Sequence, residues 1–114
     1  MQDCIFCKIV AGQIPSTKVF EDERVFAFRD IHPQAPTHIL IIPKKHYANL
    51  AALDEKDQPL MGSLLHVANK LAKEEGIAQK GYRVAVNCGP QGGQVVQHLH
   101  VHLLGGREMA GELG

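Results

Sequence analysis

"QHLHVHLLGG", residues 97–106, spaces three histidines two positions apart with one apolar residue between each pair. In a β-strand, side chains at i, i+2 and i+4 point to the same face of the sheet. We therefore expect a strand in which His98, His100 and His102 face one way, while Leu99 and Val101 face the core. An exposed polar stripe on a half-buried strand would alternate in the same way, although Thr, Lys or Glu would serve that purpose equally well.

The spacing of the three histidines argues against one metal ion bound by all of them. At about 3.3 Å per residue, the Cα atoms of His98 and His102 are roughly 13 Å apart, which is too far for one small ion. Neutral imidazole is a competent nucleophile toward phosphorus near pH 7, and a second imidazole can stabilise developing charge or pass on a proton. Two histidines in different protonation states would therefore be enough for phosphoryl chemistry.

A glycine-rich loop, NCGPQGGQ at residues 87–94, precedes the histidines. Gly89, Gly92 and Gly93 tolerate positive φ and leave the backbone bare, so the loop can aim several N–H groups at one anion. We predict a phosphate-binding nest there, next to the imidazoles. A plain turn between two strands explains the loop equally well.

The flanking sequence predicts an α+β fold with about five mainly antiparallel strands, one long helix and a short N-terminal helix. Strands are predicted at Lys18–Phe20, at Val25–Arg29, in the apolar run HILIIPKKH up to Pro43, and in YRVAVN. The long helix is predicted from Asp57 to Glu75, with Asp57 as N-cap. Its apolar residues at helical spacing are Leu60, Met61, Leu64, Leu65, Ala68, Leu71 and Ala72.

Length and charge narrow the class of protein. The 114 residues fit a single domain, residues 1–114. Twelve Lys and Arg balance twelve Asp and Glu, so no long-range field favours a nucleic-acid partner. We expect no signal peptide and no membrane helix, and hence a cytoplasmic protein in which cysteines are metal ligands or thiols rather than a disulfide framework.

The segment HLHVHLL has the His-x-His-x-His-x-x form, with x apolar, that defines the histidine triad (HIT) proteins. EDERVFAFRDIHPQAPTHILIIPKKH, GYRVAVN, GGQ and LLGGR extend the match over roughly residues 4–107. The chain resembles the Hint-like branch, the purine nucleoside phosphoramidase-like members, and specifically the bacterial type with a zinc site.

This resemblance implies a nucleotide hydrolase or transferase that releases a nucleoside monophosphate from purine nucleoside 5'-phosphoramidates or acyl adenylates. By motif position, His100 is the nucleophile that forms a nucleotidyl-histidine, and the His98 carbonyl orients its ring. His102 contacts the phosphate, and His38 is a further histidine behind the active centre, although a strand-edge side chain is an equal alternative for it. No cofactor is needed for this chemistry.

The resemblance also implies where the nucleotide binds. Asp30 would accept hydrogen bonds from the ribose hydroxyls, and apolar residues would surround the base. Asn87, Gly93 and Gln94 would lie beside the phosphate, together with His100, His102 and the N–H of Val95. The residues expected around the base are Phe6, Ile9, Ile14, Phe28 and Ile31.

Val95 departs from the family pattern, which commonly has Ser or Thr after GGQ. Valine keeps the backbone N–H but has no hydroxyl for the leaving group, so proton delivery to an amine is in doubt. Two other functions stay open: hydrolysis of dinucleoside polyphosphates, as in the Fhit-like branch, and a zinc-stabilised nucleotide-binding module with little turnover. Val95 is the main argument for the binding module.

Cys4 and Cys7 form a CxxC knuckle, a spacing that lets two thiolates bind one Zn²⁺. A redox motif would require a preceding strand, which the sequence lacks. The resemblance implies that His46 and His98 complete a closed structural zinc site, and two reduced, packed thiols are the alternative. The family also implies a homodimer formed through the helix at 57–75 and the YRVAVN strand.

Overall fold

The computed structural model describes residues 3–112, and across that range the strands form one five-stranded antiparallel sheet. The strand order is β1-β2-β3-β5-β4, so β1 and β4 form the two edges. Every pairing is antiparallel, which confirms the predicted class. The strands are β1 (Lys18–Glu21), β2 (Val25–Arg29), β3 (Thr37–Pro43), β4 (Tyr82–Ala85) and β5 (Val101–Gly105).

The predicted long helix is present as α2 (Gln58–Glu74), and the short N-terminal helix is α1 (Ile5–Val10). Asp57 is the N-cap residue of α2, as predicted, but its side chain does not cap that helix. Instead it accepts a hydrogen bond from the backbone N–H of Asp54, within a short 3₁₀ turn at Glu55–Asp57. A second 3₁₀ turn lies at Leu50–Ala52, and the sequence patterns predicted neither turn.

The two helices cover opposite faces of the sheet. Side chains alternate along β2 and β3, so that Ile39 and Ile41 lie in the core under α2, while Leu40 and Ile42 lie in a second core with residues of α1. This two-sided burial explains why every residue of β3 is buried. The site described below lies on the α1 face.

Leu65 follows the helical spacing of the apolar residues on α2, but its side chain is 56% exposed, so it is not part of the core. Val67, which the apolar pattern missed, takes part in the core instead. Neither helix in the described part of the chain is long and apolar enough to cross a membrane.

The histidine-rich strand is shorter than predicted, since β5 begins only at Val101. The side-chain alternation nevertheless holds, with Leu99, Val101 and Leu103 in the core under α2. The backbone leaves the ladder because the Leu99 N–H donates to the carbonyl of Tyr47, 2.7 Å away, beyond the end of β3. Of the three histidines, therefore, only the last lies within the described strand.

Candidate active site and metal centre

A cleft of about 460 Å³ opens on the α1 face of the sheet. Its floor comes from α1, β2 and β3, and its far side comes from the glycine loop and the start of β5. The predicted nucleotide residues that line it are Phe6, Ile9, Ile14, Phe28, Asp30, Ile31, Asn87, Gly93, Val95, His100 and His102, together with His38.

Gln94 does not line the cleft, although it was predicted beside the phosphate. Its buried amide braces the loop instead: Oε1 accepts from the Gly89 N–H at 2.9 Å, and Nε2 donates to the carbonyls of Ala48 at 2.8 Å and Val96 at 2.9 Å. The residue thus ties the glycine loop to the chain that follows β3. Its role in this structure is to hold the loop in shape.

The predicted nest of glycine N–H groups is not formed, because the loop uses those groups internally. The N–H groups of Gly92, Gly93 and Gln94 donate to carbonyls within the loop, and that of Gly89 donates to Gln94. Gly89 and Gly93 adopt φ of 74° and 79°, and a Cβ on Gly92 would lie 2.4 Å from the Cys88 carbonyl. The glycines are therefore required by a tight turn, which was the alternative interpretation of this segment.

The apolar end of the cleft is a wall of buried side chains, with Phe6 and Phe28 in edge-to-face contact at 5.4 Å. Beside it, Oδ1 of Asp30 accepts from the His32 N–H at 2.8 Å, which fixes the carboxylate at the rim. Ile31 is 82% exposed there, so it can contribute contact area only when a ligand covers it.

His100 is held by its own main chain. Its Nδ1 lies 2.7 Å from the carbonyl oxygen of His98. Because a carbonyl can only accept, Nδ1 carries the proton, and Nε2 of the neutral ring keeps its lone pair. His100 is buried, yet it lines the cleft, so one nucleophilic nitrogen is available in a largely desolvated setting.

Asp30, His38 and His102 form what we call the aspartate–histidine cluster. The backbone N–H of Gln34 donates to His38 Nδ1 at 3.1 Å, so the proton of the neutral ring is on Nε2. That Nε2 lies 3.0 Å from His102 Nδ1 and 3.5 Å from Asp30 Oδ2. His102 Nδ1 therefore accepts, and its own proton is on Nε2.

Burial keeps the two histidine rings of this cluster neutral. Desolvation, followed by the proximity of His100 and His38, lowers the pKa of His102 to about 4. Desolvation also lowers the pKa of His38, although the Asp30 carboxylate opposes the shift. Near pH 7 both rings are uncharged, and each acts as a hydrogen-bond donor through one defined nitrogen.

Cys4, Cys7, His46 and His98 form the cysteine–histidine cluster, which lies next to Phe6 and does not line the cleft. His98 Nδ1 lies 3.3 Å from Cys4 Sγ, 3.6 Å from Cys7 Sγ and 3.2 Å from His46 Nδ1. Cys7 Sγ is 3.4 Å from His46 Nδ1. Tetrahedral zinc with bonds of about 2.0–2.3 Å separates its ligands by roughly 3.3–3.8 Å, so the four atoms fit that ion.

The hydrogen bond on the outer side of His98 supports the same conclusion. Its Nε2 donates to the Pro43 carbonyl at 2.9 Å, which leaves the lone pair on Nδ1 facing the two sulfur atoms. Cys4 also begins α1, where its Sγ accepts from the Cys7 N–H at 3.4 Å. The chain therefore offers two cysteine sulfur atoms and two imidazole nitrogens, the donor set that Zn²⁺ prefers.

Several residues that position the site escaped the sequence patterns. The Gln34 N–H and the Pro43 carbonyl each fix a histidine tautomer, and main-chain groups leave no side-chain signal. Leu40 also lines the cleft, and the alternation of β3 could have placed it there, since its neighbours Ile39 and Ile41 lie on the other face.

The chain is similar to proteins of one known family. The family model of the HIT domain matches residues 11–109. A 14 kDa zinc-binding protein from Zea mays is 58% identical over 107 residues, which are 92% of this chain and 83% of that protein. A purine nucleoside phosphoramidase from Escherichia coli is 47% identical over 108 residues, covering 95% of this chain and 91% of that protein.

A solved structure shares the fold over nearly its whole length. The HIT family hydrolase from Legionella pneumophila Philadelphia 1 matches with a TM-score of 0.96 at 53% sequence identity. The match covers 98% of this chain and 100% of that chain. Its sheet-and-helix architecture is therefore that of the fold described above.

Proposed function

This chain belongs to the HIT domain family and is a hydrolase of that family, and we propose that it cleaves purine nucleoside 5'-phosphoramidates or acyl adenylates to release the nucleoside monophosphate. The resemblance inferred from the sequence is thereby confirmed at the level of the family. The proposal for the substrate rests above all on His100, whose Nδ1–H is fixed on the His98 carbonyl and whose Nε2 is left unprotonated beside the cleft.

In the first step, His100 Nε2 attacks the α-phosphorus and the bond from phosphorus to the leaving group breaks. An amine leaves with the bonding electron pair and with one proton, which we assign to water in the open cleft. Nδ1–H remains on the His98 carbonyl, where it stabilises the positive charge of the nucleotidyl-imidazole. In the second step, water attacks phosphorus and gives up one proton to solvent, the P–Nε2 bond breaks with its electron pair returning to Nε2, and the monophosphate is released.

His102 and Asp30 hold the substrate during both steps. His102 is neutral with its proton on Nε2, so it donates to a phosphate oxygen without first having to be charged. Asp30 accepts from the ribose hydroxyls, and the aromatic wall contacts the base. The cleft volume of about 460 Å³ lies within the usual range for small-molecule sites, about 300–1,000 Å³.

The name of the Escherichia coli relative supports phosphoramidates as the first substrates to test. Purified protein is incubated with adenosine 5'-monophosphoramidate, and AMP release is followed for the wild type and for His100→Asn. The wild type should release AMP, while His100→Asn should be slower by several orders of magnitude and still bind AMP in calorimetry.

Equal rates for the two proteins would rule out His100 as the nucleophile. If folded wild-type protein binds AMP but releases none from the phosphoramidate, the proposed substrate class is wrong, and dinucleoside polyphosphates become the next class to assay. Absence of any nucleotide binding would contradict the site itself.

We also propose that Cys4, Cys7, His46 and His98 hold a structural Zn²⁺, which would link α1 to the segments that follow β3 and precede β5. A zinc-binding relative supports this assignment. With four protein ligands the site is closed, so the ion supplies stability and takes no part in the reaction itself.

A homodimer through α2 and the edge strand β4 is our proposal for the assembly. Three large apolar residues are exposed there, namely Leu65, Tyr82 and Val84, and the Tyr82 hydroxyl donates to Asn69 of α2 so that the two elements share one surface. The mass in solution, measured by light scattering, should be twice that of the chain and should halve in Val84→Lys. A wild-type monomer would contradict the proposal.

A further inference from the structure

We propose that a metal ion in the cysteine–histidine cluster positions both the nucleophile and the apolar wall of the cleft, so that metal and nucleotide bind cooperatively. This inference rests on the proposed function and adds regulation to the same site. It makes Cys4, Cys7 and His46 positioning residues for a reaction that they do not touch.

The first link runs through the main chain of His98. The ring of His98 is tied on one side to the Pro43 carbonyl and on the other faces the two sulfur atoms. The carbonyl of the same residue accepts the Nδ1–H of His100 at 2.7 Å. A ligand bond to the ring therefore restrains the residue whose carbonyl sets the tautomer and orientation of the nucleophile.

The second link runs through α1, where Cys4 and Cys7 flank Phe6. The Phe6 ring meets His98 at 5.8 Å and His100 at 5.3 Å, both edge to face, and it also lines the cleft. A helix of six residues is too short to be stable by itself in water. Two metal–thiolate bonds in its first turn would fix the position of Phe6 and Ile9 against the base.

Without a metal, the same four atoms offer little in place of these bonds. Thiols are weak hydrogen-bond donors and acceptors, so the contacts among the four side chains are weak when no ion bridges them. The tie between α1, the chain after β3 and His98 is then reduced to weak contacts. Phe6 and the His98 carbonyl lose their shared restraint.

Cooperativity makes a reciprocal prediction. If the metal strengthens nucleotide binding by some factor, the nucleotide must strengthen metal binding by the same factor. Coupling of this kind usually amounts to about 5- to 150-fold. The effect can therefore be measured on metal-loaded, folded wild-type protein, with no variant needed.

In the experiment, wild-type protein carries one equivalent of Zn²⁺, and a chromogenic chelator takes up the metal with and without AMP. Calorimetry on the same sample determines whether AMP fills the cleft. From the equilibrium distribution of Zn²⁺ between protein and chelator, we expect saturating AMP to lower the zinc dissociation constant by about 5-fold or more. An unchanged dissociation constant in the presence of bound AMP overturns the inference while leaving the proposed function intact.

A second measurement needs no nucleotide, so it decides the inference even if AMP does not bind. Long-range ¹H–¹⁵N spectra of the histidine rings report the protonation of Nδ1 and Nε2 of His100. Metal removal should broaden or shift these resonances, and an identical His100 spectrum with and without metal contradicts the inference. Cys7→Ser should reproduce the spectrum of the metal-free protein, whereas Cys88→Ser, outside the cluster, should reproduce that of the loaded wild type.

If Cys7→Ser fails to fold by circular dichroism, the zinc-transfer experiment on loaded wild type decides alone. A merely structural metal site predicts that AMP does not change the zinc dissociation constant. Positioning of the nucleophile predicts in addition that folded, metal-poor Cys7→Ser shows a lower kcat as well as a higher KM, because His100 and Phe6 are both displaced.

Discussion

The cysteine–histidine and aspartate–histidine clusters each bring ring nitrogens close to one another, but the first is suited to bind a metal ion and the second to relay hydrogen bonds. Ligand-atom distances do not separate them, since they are 3.2–3.6 Å in the first and 3.0–3.5 Å in the second. The clusters differ in the hydrogen bond that the outer ring nitrogen of the buried histidine makes. His98 donates outward to a carbonyl, whereas His38 accepts from a peptide N–H.

That outer hydrogen bond decides what the inner nitrogen can do. In the first cluster, His98 Nδ1 keeps its lone pair and can bind a metal. In the second, His38 Nε2 carries the proton, so a cation among Asp30, His38 and His102 would meet an N–H. One backbone group behind each histidine therefore separates a metal site from a hydrogen-bond relay.

The largest expected difference between the two clusters is in metal binding. Apparent affinities of structural zinc correspond to about 10–16 kcal/mol shared among four ligands, so removal of two thiolates should weaken binding by roughly 10⁴-fold or more. We expect Cys4→Ser combined with Cys7→Ser to lose zinc in chelator competition. Asp30→Asn and His38→Phe should retain one equivalent per chain by elemental analysis, and loss of zinc in those variants would erase the distinction between the clusters.

The second test uses pH, because the aspartate–histidine cluster is stable only with neutral rings. The folded pKa of His102 is about 4, against 6.5 in the unfolded chain, so between these values the unfolded state binds the additional proton. This contribution to stability is complete above pH 6.5 and is lost as pH falls to 4. The loss amounts to roughly 3 kcal/mol.

Urea titrations of wild type and His102→Asn at several pH values isolate this contribution, since loss of metal at low pH affects both proteins. The stability of the wild type should fall more steeply between pH 6.5 and pH 4. Parallel curves for the two proteins would mean that His102 is not held neutral by the fold.

The residues of both clusters could largely be predicted from the sequence, but the backbone hydrogen bonds that distinguish the clusters could not. The two-residue spacing of His98, His100 and His102 predicted one shared face, and the CxxC knuckle with the family resemblance predicted the four metal ligands that the structure brings together. The element order and the long helix followed from apolar periodicity. These features depend on side-chain type and spacing, which a sequence displays directly.

Two of the errors came from main-chain hydrogen bonds, which a sequence does not display. The glycine loop was predicted as an anion nest, but its N–H groups are used within the turn and by Gln94. The strand before Val101 was predicted to continue the ladder, but Leu99 bonds to Tyr47 instead. Leu65 fitted the helical period and yet faces outward, because the apolar stripe on α2 is wider than its contact with the sheet.

The third test asks whether the His38 relay matters to the reaction. His38→Phe removes the acceptor for the Gln34 N–H and the donor to His102, whereas His38→Gln can keep both. With about 1–3 kcal/mol for a buried group left unpaired, kcat of His38→Phe should fall roughly 10- to 100-fold. His38→Gln should recover most of it, and equal losses in both variants would contradict these two hydrogen bonds as the contribution of His38 to the reaction.

The smallest expected effect concerns Val95, which lines the same cleft but, unlike the aspartate–histidine cluster, offers no side-chain donor. The residue is 87% exposed, so substitution there leaves the core untouched. Threonine has nearly the same shape and adds one hydroxyl, and a single hydrogen bond contributes about 0.5–1.5 kcal/mol, or roughly 2- to 10-fold in rate. Val95→Thr should therefore release amines from adenosine phosphoramidates faster than the wild type does. Val95→Ala, which changes size without adding a donor, is the matched control. If the two variants behave alike, proton delivery from residue 95 does not limit the reaction, and water in the cleft supplies that proton as rapidly as a hydroxyl would.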